Sequence, residues 1–265
     1  MKTLNRTENG PSQFANIDRL PFGSGVFDAE IAGRAAGVDF PASTRDGATW
    51  PRHAVDDHRI PDNDTVLKHV FDRVFAALAL VLLSPLFLMV VLLIRFTDPG
   101  PIFFAHERIG KRGQRFKCLK FRTMAEDGDA ILAQHLRNNP EAAAEWNSTR
   151  KLQDDPRVTR LGDALRRSSI DELPQLWNIL VGDMSVVGPR PIVDAEIPHY
   201  GNAIFDYLSV RPGLTGLWQV SGRSDVGYGQ RVRLDTEYVR TRTILKDAAI
   251  VLKTIKVVAF REGSC

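Results

Sequence analysis

The sequence predicts an α/β protein, mostly helical with one small β-hairpin, held on a membrane by a broken apolar helix. Three observations predict it. Val74 to Ile94 runs for 21 residues without a charge and carries Ser84-Pro85 at its middle. Two short apolar runs, Ile102-Phe103-Phe104 and Phe116-Lys117-Cys118-Leu119, flank the turn signal Gly110-Lys111-Arg112-Gly113. The rest alternates between short helical patterns and Gly/Pro-bounded turns, without internal repeats.

Residues 1–62 mix Gly, Pro, Asn and Asp with apolar scraps and keep no period, which predicts a largely disordered tail. They carry 7 Lys+Arg against 9 Asp+Glu, leaving 28 against 23 for the remainder of the chain. As one straight helix the apolar run would be about 31 Å long, enough to span a bilayer. Proline removes a backbone donor and clashes with the preceding turn, so Pro85 breaks or kinks that helix. Each half then reaches only about 15 Å. A re-entrant hairpin and a kinked span both satisfy this pattern. Basic residues lie on both sides (Lys68 and Arg73 before, Arg95, Arg108, Lys111, Arg112 and Arg115 after), so charge does not choose between them.

Pro101 to Met124 reads as the β-hairpin. Residues 126–150 read as an amphipathic helix interrupted at Asn139-Pro140, and Thr159 to Arg167 and Ser169 to Leu180 as two short helices. Residues 231–260 read as one or two helices. Within Ile244 to Phe260, Lys246, Lys253 and Lys256 share the segment with a run of apolar residues. Such a helix can lie on a membrane or pack on the core.

The charge balance of +3 is too mild to argue for nucleic acid, but a modestly basic body suits phosphorylated ligands or an anionic membrane surface. The two cysteines, Cys118 and Cys265, form no CxxC pattern, and the six histidines no HxxxH or HExxH spacing. No zinc or redox motif is therefore present.

The chemistry concentrates at Ser168-Ser169-Ile170-Asp171-Glu172-Leu173-Pro174-Gln175-Leu176-Trp177-Asn178. Adjacent carboxylates among arginines suit phosphoryl transfer. The same residues also fit a helix start, with Ser169 and Glu172 as a capping box or Asp171 as the N-cap. The two roles are compatible, because a helix N-terminus also stabilises an anion. Arg167, Arg190, Arg211 and Arg223 each sit in a motif, three of them beside Gly or Pro. Such turns hold a guanidinium at fixed reach for bidentate phosphate recognition. Lys120 and Arg122 end the hairpin as candidate phosphate contacts, and Trp218 and Gln219 as candidate contacts to a base or sugar.

Taken in order, Lys68-His69-Val70-Phe71-Asp72, Asp98-Pro99-Gly100-Pro101, Glu107-Arg108-Ile109-Gly110, Lys120-Phe121-Arg122-Thr123-Met124, the Asp171-Glu172 block with Gly182-Asp183-Met184-Ser185 and Gly188-Pro189-Arg190-Pro191, Arg211-Pro212-Gly213-Leu214-Thr215-Gly216 and Trp218-Gln219-Val220-Ser221-Gly222-Arg223 resemble the bacterial sugar transferases. That family moves a sugar 1-phosphate from a nucleotide sugar to a polyprenyl phosphate. The resemblance covers about Leu67 to Phe260. Ser221 departs from it, where Asn is expected.

The resemblance implies a monotopic enzyme with a re-entrant N-terminal helix-break-helix, on the cytoplasmic face of the bacterial inner membrane. It implies Asp171 as nucleophile, Glu172 as its support, and Mg²⁺ held by a set drawn from Asp171, Glu172 and Asp183. Lys120, Arg122, Arg167, Arg190, Arg211, Gln219 and Arg223 would bind substrate. The expected substrates are a UDP-sugar, galactose or glucose foremost, and undecaprenyl phosphate, in the priming of exopolysaccharide assembly. An N-acetylhexosamine donor, or a non-enzymatic membrane adaptor, are the alternatives; a homo-oligomer is left open. The expected layout is a tail over 1–62, a membrane element over 63–97 and a cytoplasmic catalytic domain over 98–265.

Overall fold

A computed structural model describes residues 64–149, 152–222 and 227–260. The tail expected over 1–62 lies outside the described residues, as does Arg223. The chain enters at Thr65, whose side chain accepts from the Lys68 N–H at 3.2 Å and caps helix α1, Val66–Leu82. Helix α2, Ser84–Thr97, follows after Leu83, at 61° to α1. The bend falls where Pro85 dictates. Its ring is tolerated in the first turn of a helix and nowhere deeper, so α1 must stop before it. The Ser84 hydroxyl donates to the Val81 carbonyl at 2.7 Å and meets one acceptor that the break frees.

One stripe of α1 is buried, Lys68, Asp72 and Ala76 at i, i+4 and i+8. Outside that stripe, Val70, Val74, Leu78 and Val81 are exposed, as are Leu88, Met89, Leu92 and Phe96 of α2. An exposed apolar surface of this extent marks a membrane or partner contact.

The expected hairpin forms from β1, Phe103–Ile109, and β2, Arg115–Phe121, paired antiparallel with Phe104 opposite Lys120 and Arg108 opposite Phe116. The interrupted helix over 126–150 is α3, Gly128–Asn138, and α4, Pro140–Thr149. Helix α5, Arg160–Arg167, is capped by Thr159, whose side chain accepts from the Gly162 N–H at 2.9 Å. The single helix expected from Ser169 to Leu180 is instead a 3₁₀ turn at Ile170–Glu172 followed by α6, Gln175–Val181. The capping box does not form, because Ser169 adopts a left-handed backbone (φ 57°) and its side chain caps nothing.

Beyond α6 the chain makes β3, Ser185–Val187, then the short helices α7, Ile197–Tyr200, and α8, Ile204–Leu208, then β4, Gly213–Thr215. Strands β3 and β4 pair in parallel, Ser185 with Gly213 and Val187 with Thr215. The backbones of Gly188 and Gly213 approach so closely that a Cβ on Gly213 would lie 2.1 Å from the Gly188 nitrogen, so only glycine fits. Helices α9, Tyr228–Thr241, and α10, Ile244–Phe260, complete the fold. Helix α10 turns Asp247 and Ile250 inward and leaves Leu245, Leu252 and Ile255 exposed, so it packs on the core with one face and keeps an apolar face free.

A buried charge cluster joins the broken helix to the rest. Asp72 accepts from Ser185 Oγ at 2.9 Å, the Val186 N–H at 3.1 Å and Arg211 Nη2 at 2.9 Å. Lys68 Nζ reaches Asp247 at 2.7 Å, and the Tyr238 hydroxyl donates to the same carboxylate at 2.7 Å. Asp64 takes Arg211 Nε and Arg242 Nη1, each at 3.0 Å. Burial works to raise the Asp64 pKa, but Arg211, Arg242 and Lys111 outweigh it and hold the carboxyl at about 2.

Candidate active site

The 3₁₀ turn after α5 presents Asp171 and Glu172 toward β2. Ser169 enters it in a conformation that costs a non-glycine residue roughly 1 kcal/mol or more, and strain of this kind collects at functional turns. Asp171 is 7% exposed. Lys120, near the end of β2, places Nζ 2.7 Å from Glu172 Oε1 and 3.6 Å from Asp171 Oδ2. Burial pushes the Asp171 carboxyl above the usual carboxylate range; Lys120 pulls against that shift and the adjacent Glu172 charge adds to it. A carboxylate kept basic by poor solvation is a better nucleophile than a solvated one.

Asn178 sets the spacing between the turn and the strand. Its Oδ1 accepts from the Leu119 N–H at 3.0 Å, and its Nδ2 donates to the Lys117 carbonyl at 2.9 Å. This side chain therefore fastens α6 to β2, one residue away from Lys120. Asn178 is 3% exposed, and both ends of its amide are used.

A small cavity of about 20 Å³ opens beside the pair, lined by Lys120, Glu172, Gln175, Arg190, Gln219 and Arg108. Arg190 stands between two prolines, in a turn tied to β4 by the Gly213 N–H donating to the Pro189 carbonyl at 2.8 Å. Its guanidinium carbon lies 5.8 Å from the Trp218 ring centre. Gln219 donates from Nε2 to the Leu214 carbonyl at 3.3 Å.

The structure thus brings Glu172, Lys120, Arg190 and Gln219 to one cavity with Asp171 beside Glu172 and Lys120, and sends Arg211, Arg122, Arg167 and Asp183 elsewhere. Arg211 is 3% exposed and spent on Asp64 and Asp72, which makes it a tie between helix and core. Arg122 donates to the Asp98 and Pro99 carbonyls and pairs with the Asp98 carboxylate at 3.3 Å, fixing the exit from α2. Arg167 is exposed and pairs with Asp163 one turn earlier. Its neighbour Arg166 is the one within electrostatic reach of Asp171, and it donates to Thr123 Oγ1 at 2.9 Å. Residues one apart on a helix point about 100° apart, which separates the two.

Asp183 lines a different cavity of about 310 Å³, with His69, Lys111, Arg112 and Arg115. Among the described residues no three His, Cys, Asp or Glu side chains gather as a metal site. Of the expected set, Asp171 and Glu172 are adjacent, whereas Asp183 lies on the other cavity. Two carboxylates completed by substrate oxygens and water fit Mg²⁺, which seldom takes an all-protein cage. Arg108, Gln175, Asn178 and Arg166 lie at the site without having a site role in the sequence reading. Glu107-Arg108 in its Gly-terminated strand was the one available signal for Arg108.

The family described as bacterial sugar transferase matches residues 63–261. The exopolysaccharide production protein ExoY of Sinorhizobium fredii is 56% identical over 199 residues, covering 75% of this chain and 88% of that protein. A UDP-glucose:undecaprenyl-phosphate glucose-1-phosphate transferase of Caulobacter vibrioides is 40% identical over 233 residues, 82% of this chain and 78% of that protein. The undecaprenyl-phosphate galactose phosphotransferase of Salmonella typhimurium is 48% identical over 199 residues, which are 75% of this chain but 41% of that protein.

Proposed function

The chain belongs to the bacterial sugar transferase family, and from that premise we propose that it transfers a hexose 1-phosphate from UDP-galactose or UDP-glucose to undecaprenyl phosphate, priming exopolysaccharide assembly. The observation that carries this reading is the buried Asp171, 3.6 Å from Lys120 and next to Glu172, where Glu172, Lys120 and Arg190 line one cavity. In the first half-reaction an Asp171 oxygen attacks the β-phosphorus of the donor. The bond from that phosphorus to the bridging oxygen breaks, and uridine monophosphate leaves with the electron pair. The aspartate then carries the sugar as an acyl phosphate.

In the second half-reaction a phosphate oxygen of undecaprenyl phosphate attacks the same phosphorus. The Asp171–phosphorus bond breaks and the carboxylate returns. Arg190 stabilises phosphate oxygens, and Lys120 balances the charge of the two carboxylates when substrate is absent. Asp171 and Glu172 are the residues that would hold Mg²⁺, which when bound neutralises charge building on the diphosphate. Glu172 would support the nucleophile by helping to hold that ion or by handling a proton.

The lipid acceptor calls for a site at a bilayer surface. The 61° bend of α1 and α2 supports a re-entrant element, and their exposed apolar side chains support immersion in lipid. We place the enzyme on the cytoplasmic face of the inner membrane, where nucleotide sugars are available. The test is transfer of radiolabel from UDP-galactose, UDP-glucose and UDP-N-acetylhexosamines to an undecaprenyl phosphate fraction by purified protein. Label in lipid from a hexose donor supports the reading; label from the N-acetylhexosamine alone replaces the donor, and no label from any removes the activity.

A further inference from the structure

Arg108 faces the cavity from β1 and has little to hold. Its side chain is 20% exposed, and its closest described partners are the Pro191 carbonyl at 3.5 Å and Glu196 Oε2 at 3.7 Å. Both distances lie at the outer edge of a hydrogen bond or beyond it. Glu196 is engaged on three other sides: by the Val193 N–H at 2.9 Å, by Arg231 Nη1 at 3.3 Å and by the Tyr228 hydroxyl at 3.3 Å. A single carboxylate is thus shared between two arginines. Arg190, on the same cavity, lays its guanidinium near the face of Trp218, while its backbone N–H donates to Asp235, the carboxylate within its electrostatic reach.

Burial, and then the neighbouring Arg190 charge, lower the proton affinity of Arg108. Two guanidinium groups that repel each other across one small cavity make a cation-rich concavity, and an entering anion relieves the repulsion. A second row of side chains keeps both in place. Arg231 lies 5.0 Å from the Trp218 ring, whose indole also meets Arg190, and it contacts the Glu196 that faces Arg108.

We propose that Arg108 is the second phosphate-gripping residue of this site, closing with Arg190 on the diphosphate of the donor. The proposal rests on the transferase reading and adds a residue to it. A diphosphate offers two adjacent oxyanion groups, and two planar forks on one wall match them where one would leave a phosphate unmet. Phosphate oxygens could also come from the lipid acceptor, and kinetics separates the sources.

The experiment uses the full chain in detergent or nanodiscs, with Arg108→Gln and Arg108→Lys. The Kd of UDP and the KM of the UDP-sugar should rise about 10- to 150-fold in both variants, because lysine supplies charge without the fork. The KM of undecaprenyl phosphate and the affinity for uridine should stay unchanged. Arg112→Gln, on the hairpin turn at the other cavity, should leave all four values alone. Unchanged UDP binding in both Arg108 variants overturns the proposal, and a loss confined to the acceptor KM assigns Arg108 to the lipid phosphate instead. Should Arg108→Gln melt early, Arg108→Lys decides. Wild-type protein that binds no UDP would defeat the transferase reading itself, which distinguishes that failure from this one.

Discussion

Asn178 accepts from the Leu119 N–H at 3.0 Å while donating to the Lys117 carbonyl at 2.9 Å, so one amide sets the distance between the acidic turn and the strand that carries Lys120. Asn178→Leu leaves both backbone groups unmet in a buried place. The loss should be roughly 1–3 kcal/mol of stability. Denaturant unfolding measures it, and transfer activity should fall in the folded fraction because Lys120 loses its register. Full stability and full activity in this variant would show that the amide sets nothing.

Asp171→Asn should abolish transfer, with a loss on the order of 10⁴-fold or more, since an amide cannot form the acyl phosphate. The substitution should leave stability equal or higher. Burial raises the Asp171 pKa, so the ionised form weakens the fold as pH rises through that value, and the neutral amide removes the penalty. By the same shift, wild-type activity should fall on the acid side at a pH above the ordinary carboxylate value of about 4. Calorimetry and a pH–rate profile check the two halves. A phosphosugar adduct mapped to another residue would reassign the nucleophile.

Asp64 carries the opposite sign. Its folded pKa of about 2 lies below the unfolded 3.8, so its contribution is complete above pH 4 and is lost as pH falls toward 2. The difference corresponds to about 2 kcal/mol. Asp64→Asn should therefore destabilise the protein at pH 7 and by much less at pH 2. A variant with the same deficit at both pH values would show that the carboxylate's charge is not what stabilises.

Pro85→Leu tests the broken helix. Leucine restores the missing N–H and removes the ring, so a continuous helix over α1 and α2 becomes accessible. Cysteines near residues 60 and 112 should both react only from the cytoplasmic side in the parent. In the variant the first should react from outside in a measurable fraction. If labelling and activity are both unchanged, Pro85 does not cause the 61° bend.

Local pattern made much of this legible. The hairpin, the Asn139-Pro140 interruption and the short helix ending at Arg167 are written within a few residues of where they act. Strands β3 and β4 leave no local signature, because three residues are too few to show an alternation, and parallel pairing joins segments far apart in the chain. Arg211 reads as a phosphate ligand because its counter-ions, Asp64 and Asp72, lie 147 and 139 residues earlier, out of range of any local pattern. Arg108 is hidden in the sequence for a related reason. A strand residue next to a glutamate reads as an exposed surface pair, and only the folded chain turns it toward Arg190.

Asp72 has a practical consequence for anyone who would simplify this protein. It is wholly enclosed, and it serves Arg211, Ser185 and Lys68 at once. Cutting the chain before residue 98 to obtain a water-soluble fragment would remove Asp64 and Asp72 together and strand a buried guanidinium without an anion, a loss that commonly costs about 3–5 kcal/mol. The same fragment would lose Ala76, which is packed against Leu176 and Ile179 of α6 in one core. The broken apolar helix is therefore a building block of the folded unit. Expression, crystallisation and transplantation between relatives should succeed only when the two are moved as one piece.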